Sequence, residues 1–235
     1  MPVFRIPQEH VFPHPALAEP NGLLGVGADL HPNRLILAYR SGIFPWYNEG
    51  RSILWFSPDP RFILLPEELH VSRSLKQRIR KQIFEIRMDT AFLKVIEHCS
   101  VIKRPGQFGT WITEDMKEGY LKLHEMGVAH SIEAWQDDQL VGGLYGVCIG
   151  NFFAGESMFA KISDASKVAF TYCVHQLKAW GIELIDCQIY TDHLARFGGK
   201  EIPREDYLDQ LSRLIRMERE PKKWSFDPEF QLDFI

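Results

Sequence analysis

VGGLYGV at Val141–Val147, FFAGESMF at Phe152–Phe159 and LIDCQIY at Leu184–Tyr190 decide the fold of this chain. The first two segments read as neighbouring strands, an amphipathic helical run follows them, and the third segment reads as another strand. Side chains alternate along a strand, so Ile185, Cys187 and Ile189 share one face of the last segment and Asp186, Gln188 and Tyr190 the other. A carboxylate and an amide therefore point the same way, in a sheet whose apolar neighbours mark it as mostly buried. An unpaired carboxylate there would cost several kcal/mol, so Asp186 needs either a partner or a chemical role.

Working outward, the run between Asp164 and Trp180 carries an apolar stripe of Val168, Ala169, Tyr172, Cys173, Leu177 and Trp180, with Gly181 as its stop. Upstream, HSIEAWQDDQLVGGLYGV predicts a hairpin turning at Gln136–Gln139. TWITEDMKEGYLKLHEMG predicts a helix with Thr113 as its cap, Glu114 and Asp115 in the first turn and Gly127 at its end. FEIRM reads as a strand and Thr90–Cys99 as a helix with Phe92, Val95 and Ile96 inward. The resulting order is strand, helix, helix, three antiparallel strands, helix, strand, helix. That is the order of an α+β, N-acetyltransferase-like (GNAT-like) domain with a mixed sheet, an analogy of fold that leaves the acyl donor open. An acetyl-CoA enzyme would carry a Q/RxxGxG/A pyrophosphate loop before the long helix, where this chain reads FAKISDASKV.

The first third is rich in turns, prolines and aromatics and reads as a small N-terminal cap domain over residues 1–65, followed by the acyltransferase-like domain over 66–235. The boundary is placed near Leu65, where Pro66, Glu67 and Glu68 intervene. Leu35, Ile36 and Tyr39 keep helical spacing between Pro32 and Gly42. GLLGVGADL lacks the lysine of a phosphate loop, so Gly22, Gly25 and Gly27 are read as turn and close-packing residues.

Composition is that of a globular protein, with 45% apolar and 25% charged residues among 235. A net charge of −4 argues against indiscriminate binding to nucleic acid. The distribution is uneven, because Arg73, Lys76, Arg78, Arg80, Lys81 and Arg87 face Glu85 alone between Val71 and Arg87. Such a run is either a solvated helix face or a surface for a polyanion. The proline-broken start shows no signal peptide or membrane span, and we expect a cytoplasmic protein. Cys99, Cys148, Cys173 and Cys187 are scattered and read as reduced core residues, and the nine histidines form no ligand motif, so no metal is assigned.

GLLGVGADL, YRSGIFPW, ILWFSPDPR, GTWIT, HSIEAW, LVGGLYGV, GESMF, ASKVA, LIDCQ and EIPR occur in this order from residue 22 to residue 204. In them the chain resembles the leucyl/phenylalanyl-tRNA–protein transferases of bacteria. The resemblance implies an enzyme without a cofactor that takes Leu or Phe, and Met less well, from its tRNA. It further implies attachment to proteins with an N-terminal Arg or Lys, which marks them for N-degron degradation. The chain departs from the family at Arg196-Phe197-Gly198-Gly199, in place of Ser-Leu-Gly-Ala, and in the stretch from Met217.

The reaction so implied is aminolysis of an ester. An α-amino group with a pKa of about 7.7–8.0 must lose a proton before it attacks. By the resemblance, Asp186 and Gln188 form a relay in which the carboxylate orients the amide and draws charge or a proton from the amine. Asp186 orienting the ammonium, or simply capping backbone, are the other readings. Glu156, beside Gly155 and Ser157, suits a cationic peptide terminus or a ribose hydroxyl. Trp46 and Trp111 would stack on the terminal adenine, while Trp55 packs between the domains. Leu144, Met158, Phe170, Cys173, Leu177 and Ile185 are the candidates for the amino-acid pocket. Arg73, Lys76, Arg78, Arg80 and Lys81 would meet acceptor-stem phosphates without reading sequence. An acetyl-CoA enzyme, an RNA-binding module without catalysis and a peptide-binding adaptor are the competing readings.

Overall fold

The computed structural model describes residues 3–48, 50–102, 112–217 and 219–234. A small sheet comes first, from β1 (Phe4–Arg5), β2 (Leu23–Val26), β3 (Phe44–Pro45) and β4 (Leu54–Phe56), with helix α1 (Pro32–Arg40) between β2 and β3. Its order is β1-β2-β4-β3. Pro32 opens α1, where its missing N–H has no intrahelical partner to lose, and Gly42 leaves it at φ +72°.

The larger body holds β5 (Arg61–Leu64), α2 (Arg73–Arg80), β6 (Glu85–Met88), α3 (Phe92–Val101), α4 (Glu114–Glu125), β7 (Ala129–Gln136), β8 (Gln139–Ile149) and β9 (Phe152–Ala160). It continues with α5 (Ala165–Ala179), β10 (Leu184–Gln188), α6 (Asp192–Ala195), β11 (Lys200–Ile202) and α7 (Arg204–Leu214). Seven strands form one mixed sheet in the order β11-β5-β10-β9-β8-β7-β6. Only β9 and β10 run parallel within it. The local signals for these elements are visible in the contacts. Thr113 Oγ1 accepts the Met116 N–H at the start of α4, and Gly127 follows it at φ +69°. Asp137 and Asp138 both take positive φ at the β7–β8 turn, as a two-residue hairpin matched to strand twist requires.

The sheets change a few residues before Leu65, where the domain boundary was expected. β5 pairs with β10 and β11 in the large sheet, so the change of sheet falls between Phe56 and Arg61. Pro66–Glu68 form a single 3₁₀ turn after β5 and no break. Nor does the first third close a core of its own. Leu24, Leu35, Tyr39 and Trp55 share one apolar cluster with Val95 and Tyr120 of the helices and with Tyr145 and Phe152 of the large sheet. The sheet's other face buries Leu144, Phe153 and Ile185 under α2 and α5, together with Trp224 and Leu232 of the C-terminal segment.

The parallel pair β9–β10 positions the site. Its register runs Leu184↔Phe152, Ile185↔Phe153, Asp186↔Ala154 and stops there, while β9 continues to Ala160. Beyond Ala154 the two strands part, and a cleft opens through the middle of the sheet. A bulge between β8 and β9 at Tyr145/Gly146 swings Glu156 to the same face as Tyr145.

Among the described residues no helix is long and apolar enough to cross a membrane. At the bulge, a Cβ on Gly146 would stand 2.3 Å from the Ala154 carbonyl oxygen and 2.4 Å from Phe153 Cζ. Gly146→Ala should therefore destabilise the protein by about 1–3 kcal/mol and lower Tm by roughly 2–4 °C for each kcal/mol, read by thermal unfolding. A variant that melts with the unmodified chain would show that the bulge tolerates a side chain.

Candidate active site

Asp186 lies on the central strand β10, fully buried, and its partner comes from β5. Arg61 donates through Nε to Oδ1 at 2.8 Å and through Nη2 to Oδ2 at 2.7 Å, a two-pronged pair in which both side chains are sealed from water. Tyr207 of α7 donates to Oδ2 at 3.0 Å, and the Gln188 backbone N–H to Oδ1 at 2.9 Å. Each carboxylate oxygen thus accepts twice, which fills the group. The guanidinium lies between the rings of Phe44 and Tyr207, 4.9 and 4.6 Å from their centroids, and gives its remaining arm to the Gly42 carbonyl at 3.2 Å. Burial is the largest influence and works against its charge, but Asp186 and Tyr207 together outweigh it and hold the arginine pKa above its usual value.

Two residues further, the chain turns sharply. Gln188 has φ +64°, and the Ile189 N–H bonds back to the Cys187 carbonyl at 2.8 Å, so a rare, strained three-residue turn is centred on the glutamine. Asp186 Oδ1 holds this turn through the Gln188 N–H. The glutamine side chain is held elsewhere, its Nε2 donating to Glu156 Oε1 at 2.8 Å. Glu156 Oε2 accepts from Tyr120 of α4 at 2.9 Å, and Tyr120 is in a very short hydrogen bond with Tyr39 of α1. The carboxylate expected to orient the Gln188 amide therefore grips its backbone, and Glu156 orients the amide.

Among the described residues, no cation is paired with Glu156. Burial drives its carboxyl up, the Tyr39 and Tyr120 hydroxyls pull it down, the Asp186 charge adds a further push and Gln188 a further pull, leaving a pKa of about 7. A carboxyl balanced near neutral pH, on a cavity wall and hydrogen-bonded only by neutral donors, is equipped to take up and release a proton.

The cavity occupies the cleft where β9 and β10 part, with a volume of about 510 Å³. Of the expected residues, Trp46, Leu144, Gly155, Glu156, Ser157, Met158, Phe170, Ile185 and Gln188 line it. Cys173 and Leu177, expected on the pocket wall, are not among the residues that line it. Both are sealed in the core beneath α5. They continue the stripe of Ser166 and Phe170, but at about 1.5 Å per residue Leu177 lies some 10 Å further along the helix than Phe170. Trp111 lies outside the described residues. Trp55 is sealed, with Nε1 donating to the Gly27 carbonyl.

The basic residues form helix α2 and its end, away from the cavity. Arg73 and Lys81 are exposed. Arg80 donates to the Phe234 carbonyl, Lys76 Nζ sits 4.9 Å above the Phe234 ring and Arg78 packs over Phe84, so the C-terminal segment engages part of this face. Sequence reasoning missed Arg61, Tyr207, Tyr39 and Tyr120. For Arg61 a signal existed, since a cation opening the apolar run RFILL is as conspicuous as the aspartate in LIDCQ that needed a partner.

Residues 63–212 match the family model described as leucyl/phenylalanyl-tRNA protein transferase, and residues 28–59 match that family's N-terminal domain. A leucyl/phenylalanyl-tRNA–protein transferase of Myxococcus xanthus is 53% identical over 227 residues, covering 96% of this chain and 97% of its own. One of Nitrosospira multiformis is 53% identical over 223 residues, covering 94% and 96%. Among solved structures, L-PGS from Bacillus licheniformis matches 68% of this chain and 54% of its own at TM-score 0.39 and 12% identity, too distant to carry an argument.

Two outcomes follow from the geometry. Arg61→Ala would strand a buried carboxylate and should cost about 3–5 kcal/mol in denaturant unfolding, and a loss below about 1 kcal/mol would contradict the pairing. For Glu156, the folded pKa of about 7 lies above the ordinary 4.5, so the folded state holds the proton more tightly than the unfolded chain. Its contribution to stability is full below about pH 4.5 and is lost as pH rises through about 7. Glu156→Gln should flatten the fall in urea midpoint across that window, and equal slopes in the two proteins would refute the raised carboxyl.

Proposed function

Because the chain belongs to the leucyl/phenylalanyl-tRNA protein transferase family, we propose that its cavity holds the aminoacylated end of a Leu- or Phe-tRNA. There it passes the amino acid to the N-terminal Arg or Lys of a protein, marking that protein for N-degron degradation in the cytoplasm. The observation that carries this reading is the buried Glu156–Gln188 pair on the wall of a cavity that opens between two parted strands. The same parting of parallel strands supports an N-acetyltransferase-like arrangement for the large sheet.

The acceptor's α-ammonium first gives up one proton to water, and the neutral amine then approaches Gln188, whose Nε2 is committed to Glu156 and whose amide oxygen is left to accept from the amine N–H. Glu156 takes the proton as the amine nitrogen attacks the ester carbonyl. It returns the proton to the ribose oxygen as the C–O bond breaks and the new amide forms. The ester supplies the driving force. Asp186, with all its acceptor positions occupied, acts as a positioning residue that holds the Gln188 turn. Holding amine and ester in attack geometry supplies much of the remaining acceleration.

Leu144, Met158, Phe170 and Ile185 form the apolar part of the wall and receive the transferred side chain. One methylene is worth only about 1–3 kcal/mol in such a pocket, so Met is accepted with lower efficiency. Trp46 stacks on the terminal adenine, and for Trp111 the same role rests on sequence alone. Gly155 keeps the cavity open, since a Cβ there would point into space with only the Asp186 carbonyl oxygen near, at 3.8 Å. Ser157 offers a hydroxyl on the same wall. Arg73 and Lys81 remain free to meet tRNA phosphates beside the partly engaged Lys76, Arg78 and Arg80.

Radiolabelled Leu on tRNA should pass to a peptide beginning with Arg and not to one beginning with Gly. Gln188→Ala and Glu156→Ala should each lower kcat by about 10²–10⁴-fold. Equal labelling of both peptides, or none despite tRNA binding, would overturn the assignment.

A further inference from the structure

Two sides of the cavity rim carry different charged groups. On one side β10 leads into Ile189 and Tyr190, which are 39% and 53% exposed, and then into Asp192, whose Oδ1 accepts from the Tyr190 hydroxyl at 2.7 Å. Ile189 and Thr191 line the cavity there, directly after Gln188. On the other side β9 ends at Ala160, a lining residue, and the next residue is Lys161. Its ammonium stands 2.9 Å from His98 Nε2. His98 lies one helical turn before Ile102, which also lines the cavity, and its ring packs 4.9 Å from that of Phe159 on the same wall.

This pair is built to hold a cation without neutralising it. Burial and the neighbouring Lys161 and Lys94 charges depress the His98 pKa, with Glu97 opposing them, so the imidazole is neutral and accepts from the ammonium. An ammonium has three donors, and one is used. Neither Lys161 nor Lys94 makes an ion pair with a carboxylate among the described residues. A fixed ammonium with free donors at a cavity mouth suits a phosphate oxygen.

We propose that Lys161, steadied by His98, binds the phosphate on the 5′ side of the terminal nucleoside, so that the RNA end enters over the Lys161 rim and the acceptor peptide over the Asp192 rim. This rests on the transferase reading. The ribose and ester lie inside the cavity, and the first phosphate of the chain therefore falls at its mouth. A polyanion is drawn to the rim that carries Lys161, and a cationic N-terminus to the Asp192 carboxylate.

The test compares 3′-O-leucyl-adenosine with 3′-O-leucyl-adenosine 5′-monophosphate as donors to an Arg peptide. In the unaltered protein the added phosphate should lower KM about tenfold, and in Lys161→Ala and His98→Ala that gain should shrink to about twofold, with Lys161→Arg retaining most of it. With leucyl-tRNA as donor, the slope of log KM against log salt should be shallower in Lys161→Ala by about 0.7, the share of one phosphate contact on a single strand. An undiminished phosphate gain with an unchanged salt slope would overturn the assignment, as would a rise in KM confined to the Arg peptide. Absence of transfer from leucyl-tRNA by the unaltered protein would instead remove the transferase reading itself.

Discussion

The Arg61–Asp186 pair is the constraint on which the rest of the site hangs. Two charges taken out of water repay their desolvation only when the geometry is close and every remaining donor and acceptor is used. Here Asp186 accepts four hydrogen bonds, and Arg61 finds the Gly42 carbonyl and two aromatic faces. These partners come from the loop after α1, the short strand β3, the sheet strands β5 and β10 and the last helix α7. One ion pair therefore fastens the first third of the chain to the middle of the large sheet. The same carboxylate holds the left-handed turn at Gln188, so the stability of the fold and the aim of the glutamine share one anchor.

That pairing also separates two neighbouring carboxyl groups by chemistry. Asp186 is compensated by a guanidinium, whereas Glu156 is buried with only hydroxyl and amide donors around it and feels the Asp186 charge as a further penalty. The two environments suit different roles: Asp186 is tied into a structural pair, while burial raises the Glu156 carboxyl to a pKa of about 7. The amide between them is fixed at its backbone by the first and at its side chain by the second. An amine reaching Gln188 therefore meets an acceptor whose orientation is set before it arrives, which lowers the reorganisation the reaction requires.

Local physics made much of this readable from the chain. Thr113 and Gly127 bound α4, and the two-fold alternation of LIDCQ was enough to single out Asp186 and Gln188 together. What stayed hidden depended on distance along the chain. Arg61 meets Asp186 across 125 residues, and no local period reports such a pairing. The turn at Gln188 is imposed by the Asp186 side chain against the glutamine's own backbone preference. Helical periodicity identified the buried stripe of α5 but not the point along it where the cavity ends, which is why Phe170 reaches the wall and Cys173 and Leu177 do not. Pro66, Glu67 and Glu68 read as a break between domains because a 3₁₀ turn and a linker draw on the same residue types.

The parting of β9 and β10 explains why one small cavity can serve two macromolecular substrates. A sheet that stayed paired would bury Glu156 and Gln188 completely, and one that parted earlier would expose Asp186, whose pairing with Arg61 needs a dry interior. The last pair, Asp186↔Ala154, sets the limit between these cases. Each parted strand then leads into its own rim, one with Lys161 and the other with Asp192, where Lys167 and Arg196 also act on His193. On the proposed reading, ester and amine converge beside Gln188 and Glu156. The order of the strands then sets where the proposed bond formation occurs, at the Glu156–Gln188 pair, and Lys161 marks the side proposed for the RNA end.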